Sequence, residues 1–336
     1  MRSGRLLPAS AAFLLAALAL GRAAAQDQPP VVTSLTLFAG TSGGLWRSTD
    51  WGSHWERVRG RSEGVPLDVG AVHSVVAALG RRVFLGADAG AFLSEDFGQT
   101  WRKLGLEAPV LSILPSRYPQ SDPTVFAGTM DGLVRSSDAG RTFEPTLLRG
   151  TRVTRIEWPG PALIVATGHG VLVSPDGGSS FSSGTGLAEG EPTALAVSSF
   201  YGRDPVLFAA VGAAGVFRSA DGARTWTSAG LEGRAVGDLV WLGPILYAAT
   251  DQGLFRSDDA GGRWSLGAGL AAREARRLIF PLAPDSGLEA FLAGEAGIAH
   301  TADGGAHWTP SGTPDDRVLC LATFPPAGRS ERPRKR

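Results

Sequence analysis

The chain carries one cysteine, Cys320, in 336 residues, with two methionines, three tyrosines and only two lysines, Lys103 and Lys335. A lone cysteine excludes an internal disulfide framework and a cysteine-rich zinc site. Its apolar surroundings, Val318 to Leu321, suit a buried, inert thiol. Net charge is absent as well: 32 basic and 32 acidic residues cancel, so nothing draws the whole chain to nucleic acid or an anionic membrane. The basic excess with interleaved aromatics that nucleic-acid binding requires is missing. No paired His/Cys spacing points to a metal, and no Gly-rich loop between a strand and a helix points to a nucleotide. Neither metal nor cofactor is therefore expected. Helical spacing is scarce, with Leu270 to Arg277 the one stretch that offers it. After residue 25 no apolar run approaches the ~18 residues of a membrane span.

What is present begins with a leader. Arg2 and Arg5 precede an apolar run from Leu6 to Leu20, and Ala23-Ala24-Ala25 offers a small-residue cleavage site before Gln26. Residues 1–25 therefore read as a signal peptide. The rival, an uncleaved anchor, has a short apolar run against it. Residues 26–33 then form a linker, and the mature protein is expected to be exported, periplasmic or secreted, and monomeric.

The body of the chain repeats one phrase, S-x-D-x-G-x-T-W, seven times. Its clearest copy is Ser94-Glu95-Asp96-Phe97-Gly98-Gln99-Thr100-Trp101, and the others start at Ser48, Ser136, Ser174, Ser219, Ser257 and Thr301. The aspartates Asp50, Asp96, Asp138, Asp176, Asp221, Asp259 and Asp303 stand 38 to 46 residues apart. A period near 40 marks a solenoid or a propeller. Between boxes the chain reads as short strands punctuated by Gly, Pro and Asp turns, four to a unit. Four strands per unit is the make-up of a propeller blade, so the sequence predicts an all-β, seven-bladed β-propeller over residues 34–324. Arg317 to Thr323 reads as a first strand with nothing after it, and Ser34 to Thr41 as a second strand with little before it. Joining them closes the ring. The Pro- and Arg-rich tail, 325–336, reads as disordered.

The box explains itself as a turn between third and fourth strands. Asp and Ser side chains bond nearby backbone N–H groups, and the glycine supplies a positive φ. The aromatics Trp55, Trp101, Phe143, Phe181, Trp226, Trp264 and Trp308 are expected to bury their rings between blades. His54 and His307 fill the threonine slot, which favours a turn role over a metal role. The phrase resembles the Asp-box, or bacterial neuraminidase repeat, over almost all of the mature chain. That family includes sialidases, sortilin-type receptors, xyloglucan-directed glycoside hydrolases and photosystem II stability/assembly factors. The resemblance implies a propeller whose boxes lie on the rim away from the ligand face, and it leaves the activity open.

On the face opposite the boxes, the second-to-third-strand turns carry Asp88, Asp131, Asp251 and Glu295, with His169. The blade-to-blade connections and inner-strand starts carry Arg61, Arg152, Arg155, Arg234, Arg276, Arg277 and Arg317. These arginines could form a collar at the channel mouth that takes carboxylates bidentately, or they could simply neutralise neighbouring acids. A sialidase would need a tyrosine nucleophile and an arginine triad. Tyr118, Tyr201 and Tyr247 are the candidates, and the Phe/Tyr-Arg-Ile-Pro signature of that group is absent. A two-carboxylate glycoside hydrolase could draw on the acidic turns, but Trp158 and Trp241, which end inner strands, read as packing rather than sugar platforms. The expected protein is a non-catalytic binding or scaffold propeller, similar to the assembly-factor branch, contacting a partner protein through the face opposite the boxes. The alternative is a carbohydrate-active enzyme or lectin using the acidic turns.

Overall fold

In the computed structural model the described residues are 35–324, apart from short interruptions at 59–60, 63–64, 80, 120, 161, 199, 243–244, 268–274, 282–288, 295–296, 313 and 315. The segments expected to form a leader, a linker and a basic tail, and the candidate Glu295, lie outside them. Seven four-stranded antiparallel sheets make up the fold. In the second blade the strands run Val72–Ala78, Arg82–Ala87, Gly90–Ser94 and Arg102–Lys103, from the axis outward. The inner strands of the remaining blades are Val110–Pro115, Val153–Glu157, Pro192–Val197, Val236–Leu242 and Ala275–Ile279. The first blade is composite. Val318–Phe324, from the end of the chain, pairs antiparallel with Thr36–Thr41, with Phe38 opposite Ala322. Among the described residues no helix is long and apolar enough to cross a membrane; the helical element present is a short 3-10 turn, Gly212–Ala214.

Burial is greatest in the second strands and falls off outward from there, while the inner strands are only partly buried along the channel. Second strands such as Val125–Thr129, Leu163–Thr167 and Leu207–Val211 are buried throughout, which is why they are continuous apolar runs rather than alternating ones. Fourth strands such as Ser182–Ser183 and Thr227–Ser228 are exposed. The core is divided into seven apolar clusters, one at each interface between neighbouring blades. Blades pack this closely because the second strand carries Gly or Ala at one fixed place. A Cβ on Gly128 would stand 2.5 Å from Val153 O of the next blade, and one on Gly86 would stand 2.6 Å from Val110 Cγ1. Alanine stands there in Ala166 and Ala249, both fully buried.

The stretch with helical spacing, Leu270 to Arg277, is corrected by the structure: its described end begins the inner strand Ala275–Ile279. Antiparallel pairing with the second strand Ala290–Gly294 outweighs the local spacing there.

Candidate functional site

All seven boxes share one hydrogen-bond pattern. The Ser or Thr hydroxyl donates to the Asp at 2.7–2.9 Å. The same hydroxyl accepts the backbone N–H four residues on, as Gly98 N to Ser94 Oγ at 2.7 Å. The Asp then accepts the N–H at its own i+4, as Thr142 N to Asp138 Oδ1 at 2.9 Å. His54 and His307 turn Nδ1 to the second oxygen of Asp50 and Asp303, each at 2.6 Å, in the place of the threonine hydroxyl. These donors hold Asp50, Asp138, Asp176 and Asp221 down at about 2, with hydrogen bonds from the i+4 residue the largest cause. Each is committed to its own turn.

The turn is tighter than glycine alone accounts for. The residue after the Asp is also left-handed, and in four boxes it is not glycine: Trp51, Phe97, Ala139 and Ala260 have φ between 55° and 62°. In the fifth box Ala223, at φ 69°, holds the glycine slot itself. The box aromatics divide between core and rim. Trp101 and Trp226 are buried at 2% and 4% exposure, whereas Trp55, Trp264 and Trp308 are partly buried against the interface clusters. Trp158 and Trp241 pack edge-on to Phe126 and Phe208. Their rings are therefore occupied.

On the opposite face, a cavity of about 280 Å³ opens at the channel mouth, lined by Arg152, Arg155, Arg276, Arg277 and Arg317. The local backbone explains why they converge. Every inner strand is bulged near its start, where its register against the second strand slips by one residue. The extra residues are His73, Leu111, Thr154, Thr193, Gly237, Arg276 and Leu319, and all seven line this cavity. A bulge turns an additional side chain toward the axis and leaves backbone groups out of the ladder. Guanidinium groups take up several of those carbonyls. Arg277 donates Nε to Leu319 O at 2.5 Å and Nη1 to Gly237 O at 2.6 Å and Arg276 O at 2.8 Å. Arg155 donates Nη1 to Thr154 O at 2.9 Å. Burial lowers the Arg277 pKa from its ordinary value, and the nearby Arg155 charge pushes the same way.

In two blades the side chain of the residue after the bulge, Ser74 or Asp238, ties its blade to the next. Ile113 N donates to Ser74 Oγ at 3.2 Å, and Leu278 N to Asp238 Oδ2 at 3.0 Å. Cys320 lines the deeper channel with Glu157, Asp238 and Arg155. Burial pushes its thiol up to about 11, so it is un-ionised at neutral pH. Enclosure also pushes Glu157 up to about 7, against the attraction of Arg155 and with help from Asp238.

Not every expected site residue joins this cavity. Arg61 belongs to a separate two-stranded ribbon, Arg61–Ser62 with Val65–Pro66. Arg234 lies with its guanidinium 4.9 Å from the centre of the Phe255 ring. Asp88 and Asp251 brace backbone: each accepts the N–H just ahead of its own blade's inner strand, Ala71 N and Ala235 N, at 3.1 Å. Asp88 also meets His73 Nε2 at 2.8 Å, and that hydrogen bond is the largest cause of its lowered pKa. Asp131 and His169 are exposed on their turns, with their N–H groups donated to Thr129 Oγ1 and Thr167 Oγ1. Among the described residues no cluster of His, Cys, Asp and Glu is arranged to hold a metal ion. The sequence reading missed His73, Thr154, Glu157, Glu191 and Asp238. Only their place on inner strands, or for Glu191 just ahead of one, could have flagged them.

No family model matches the chain. No curated protein sequence matches it either. Solved structures do match its fold. The extracellular domain of a one-component system from B. thetaiotaomicron aligns with TM-score 0.61 and 13% identity over 79% of this chain and 36% of that one. An ancestral GH74 enzyme aligns with TM-score 0.57 and 17% identity over 83% of this chain and 40% of its own. YCF48 bound to a D1 peptide aligns with TM-score 0.54 and 17% identity over 70% of this chain and 80% of its own. The chain thus spans less than half the length of the first two. At these identities the likeness is one of fold: all share the β-propeller.

Proposed function

We infer that this propeller is an exported, monomeric, non-catalytic binding protein that docks an acidic surface of a partner protein on the arginine-lined channel mouth. The observation that carries the reading is the charge imbalance of that cavity: among the described residues five arginines line it, against one carboxylate, Glu191. Glu191 stands 3.4 Å from Arg152, which leaves Arg155, Arg277 and Arg317 without a carboxylate among the described lining residues. Guanidinium groups suit carboxylate partners because they offer paired donors in a fixed plane. A propeller is a suitable platform for this, as the D1 peptide on YCF48 illustrates.

The carbohydrate-active alternative loses two of its candidate acids, since Asp88 and Asp251 each hold a backbone amide of their own blade. The test compares Glu-rich and Lys-rich fluorescent peptides by anisotropy over a range of ionic strength. Preferential binding of the acidic peptide, weakened by salt and by Arg152→Glu with Arg317→Glu, is expected. Equal binding of both peptides would sink the reading. Turnover of any glycoside, abolished by Asp131→Asn, would replace it with the enzymatic one.

A further inference from the structure

The docking reading makes no use of Thr154. Its side chain lines the mouth cavity and the residue is only 7% exposed, yet its hydroxyl finds no hydrogen-bond partner among the described residues. Thr193 occupies the same bulge position in the next blade and donates its hydroxyl to Val236 O at 2.6 Å. An unpaired buried hydroxyl is costly, and in a native fold it calls for an unseen partner. Immediately beside it, Arg155 commits only Nη1 to backbone. Arg277 approaches from the seventh blade with Nη2 making no hydrogen bond among the described residues. One hydroxyl donor and two guanidinium groups thus meet in one donor-rich cup.

The walls narrow the ligand class. Apart from His73, no lining residue has an aromatic ring, so nothing stacks on a nucleobase or a sugar face. The volume, about 280 Å³, lies at or below the small end of ordinary ligand pockets. Deeper in the channel, the Asp238 carboxylate opposes an anion going further. We propose that the cavity binds a small, doubly charged oxyanion of the phosphate class, held by Thr154, Arg155 and Arg277. Its oxygens would accept from the Thr154 hydroxyl and from both guanidinium groups, which are stronger donors for being charged. This site goes beyond partner docking and does not depend on it.

The full chain, titrated calorimetrically with inorganic phosphate at low ionic strength, should show one saturable site. Malonate serves as the carboxylate arm and chloride at matched ionic strength as the control for general screening. Thr154→Val keeps shape and removes only the hydroxyl, and it should weaken phosphate binding several-fold; Arg155→Gln should weaken it by about tenfold or more. Thr154→Val should keep the acidic-peptide binding of the parent, because it removes no charge from the mouth. Absence of a saturable phosphate signal in the parent, or equal binding by parent and Thr154→Val, overturns the proposal. Malonate binding in preference to phosphate overturns the assignment to the phosphate class. Should Arg155→Gln fail to fold, Thr154→Val alone decides.

Discussion

A box aspartate resembles a catalytic carboxylate only until its partners are counted. Ser136 shows the economy of the turn: its hydroxyl donates to Asp138 and accepts Gly140 N at 2.8 Å, in a residue 1% exposed. Ser136→Ala leaves that buried amide without its partner, so a loss of about 1–3 kcal/mol is expected in urea unfolding. Titration of single groups acts in two directions. Box aspartates held near 2 in the fold and near 3.9 when unfolded contribute stability above that unfolded value and lose it as pH falls toward 2. Glu157 does the reverse. Raised to about 7, it favours the fold while protonated, and stability declines as pH rises from about 4.5 to about 7. Scanning calorimetry across that interval should therefore show a midpoint falling by a few degrees in the parent and staying level in Glu157→Gln. A level parent curve would contradict the enclosed position of this carboxyl in the channel.

Among elements, the second strand sets how near its neighbour can come. At Gly128 a side chain would collide with the Val153 carbonyl of the next inner strand, a backbone atom that cannot rotate away. Gly128→Val should cost about 1–3 kcal/mol by overpacking, read as a lower denaturation midpoint with an unchanged m-value. Gly128→Ala should cost less, because Ala166 shows that a methyl fits at this place in another blade. An undiminished midpoint in the valine variant would mean that the blades are not in contact there. First strands behave differently. Their bulges spend ladder hydrogen bonds to turn side chains toward the axis, and Arg277 recovers three of the freed carbonyls.

At the scale of the whole molecule, stability depends on closing a ring between the two ends of the described chain. Val318–Phe324 is the inner strand of a blade whose other three strands lie near residue 40. It also covers the first interface clusters through Val318, Ala322 and Phe324. A chain ending at Arg317 would leave Thr36–Thr41 as an unpaired edge beside uncovered apolar surface, and such edges recruit other chains. Size-exclusion chromatography should then show oligomers, with a markedly lower thermal midpoint than the parent. A truncated chain that stays monomeric and equally stable would show that closure contributes little.

The repeated box, a local pattern, by itself determined the architecture. Its turn is built from residues within a few positions of one another, so seven copies announce seven blades wherever they are read. The gap between the first half-unit and the last strand was legible for the same reason, and so was the packing role of Trp158 and Trp241. The mouth cavity was legible only as a class of residue. Arg152, Arg155, Arg276, Arg277 and Arg317 meet there, while Arg61 and Arg234, equally plausible in the sequence, do not. That choice rests on bulges, which slip the register by one residue and reverse which side chain faces the axis. No local motif records such a slip. Tertiary structure alone gathered Thr154 and Glu157 of one blade with Asp238 of another around one axis, because only ring closure brings those strands together.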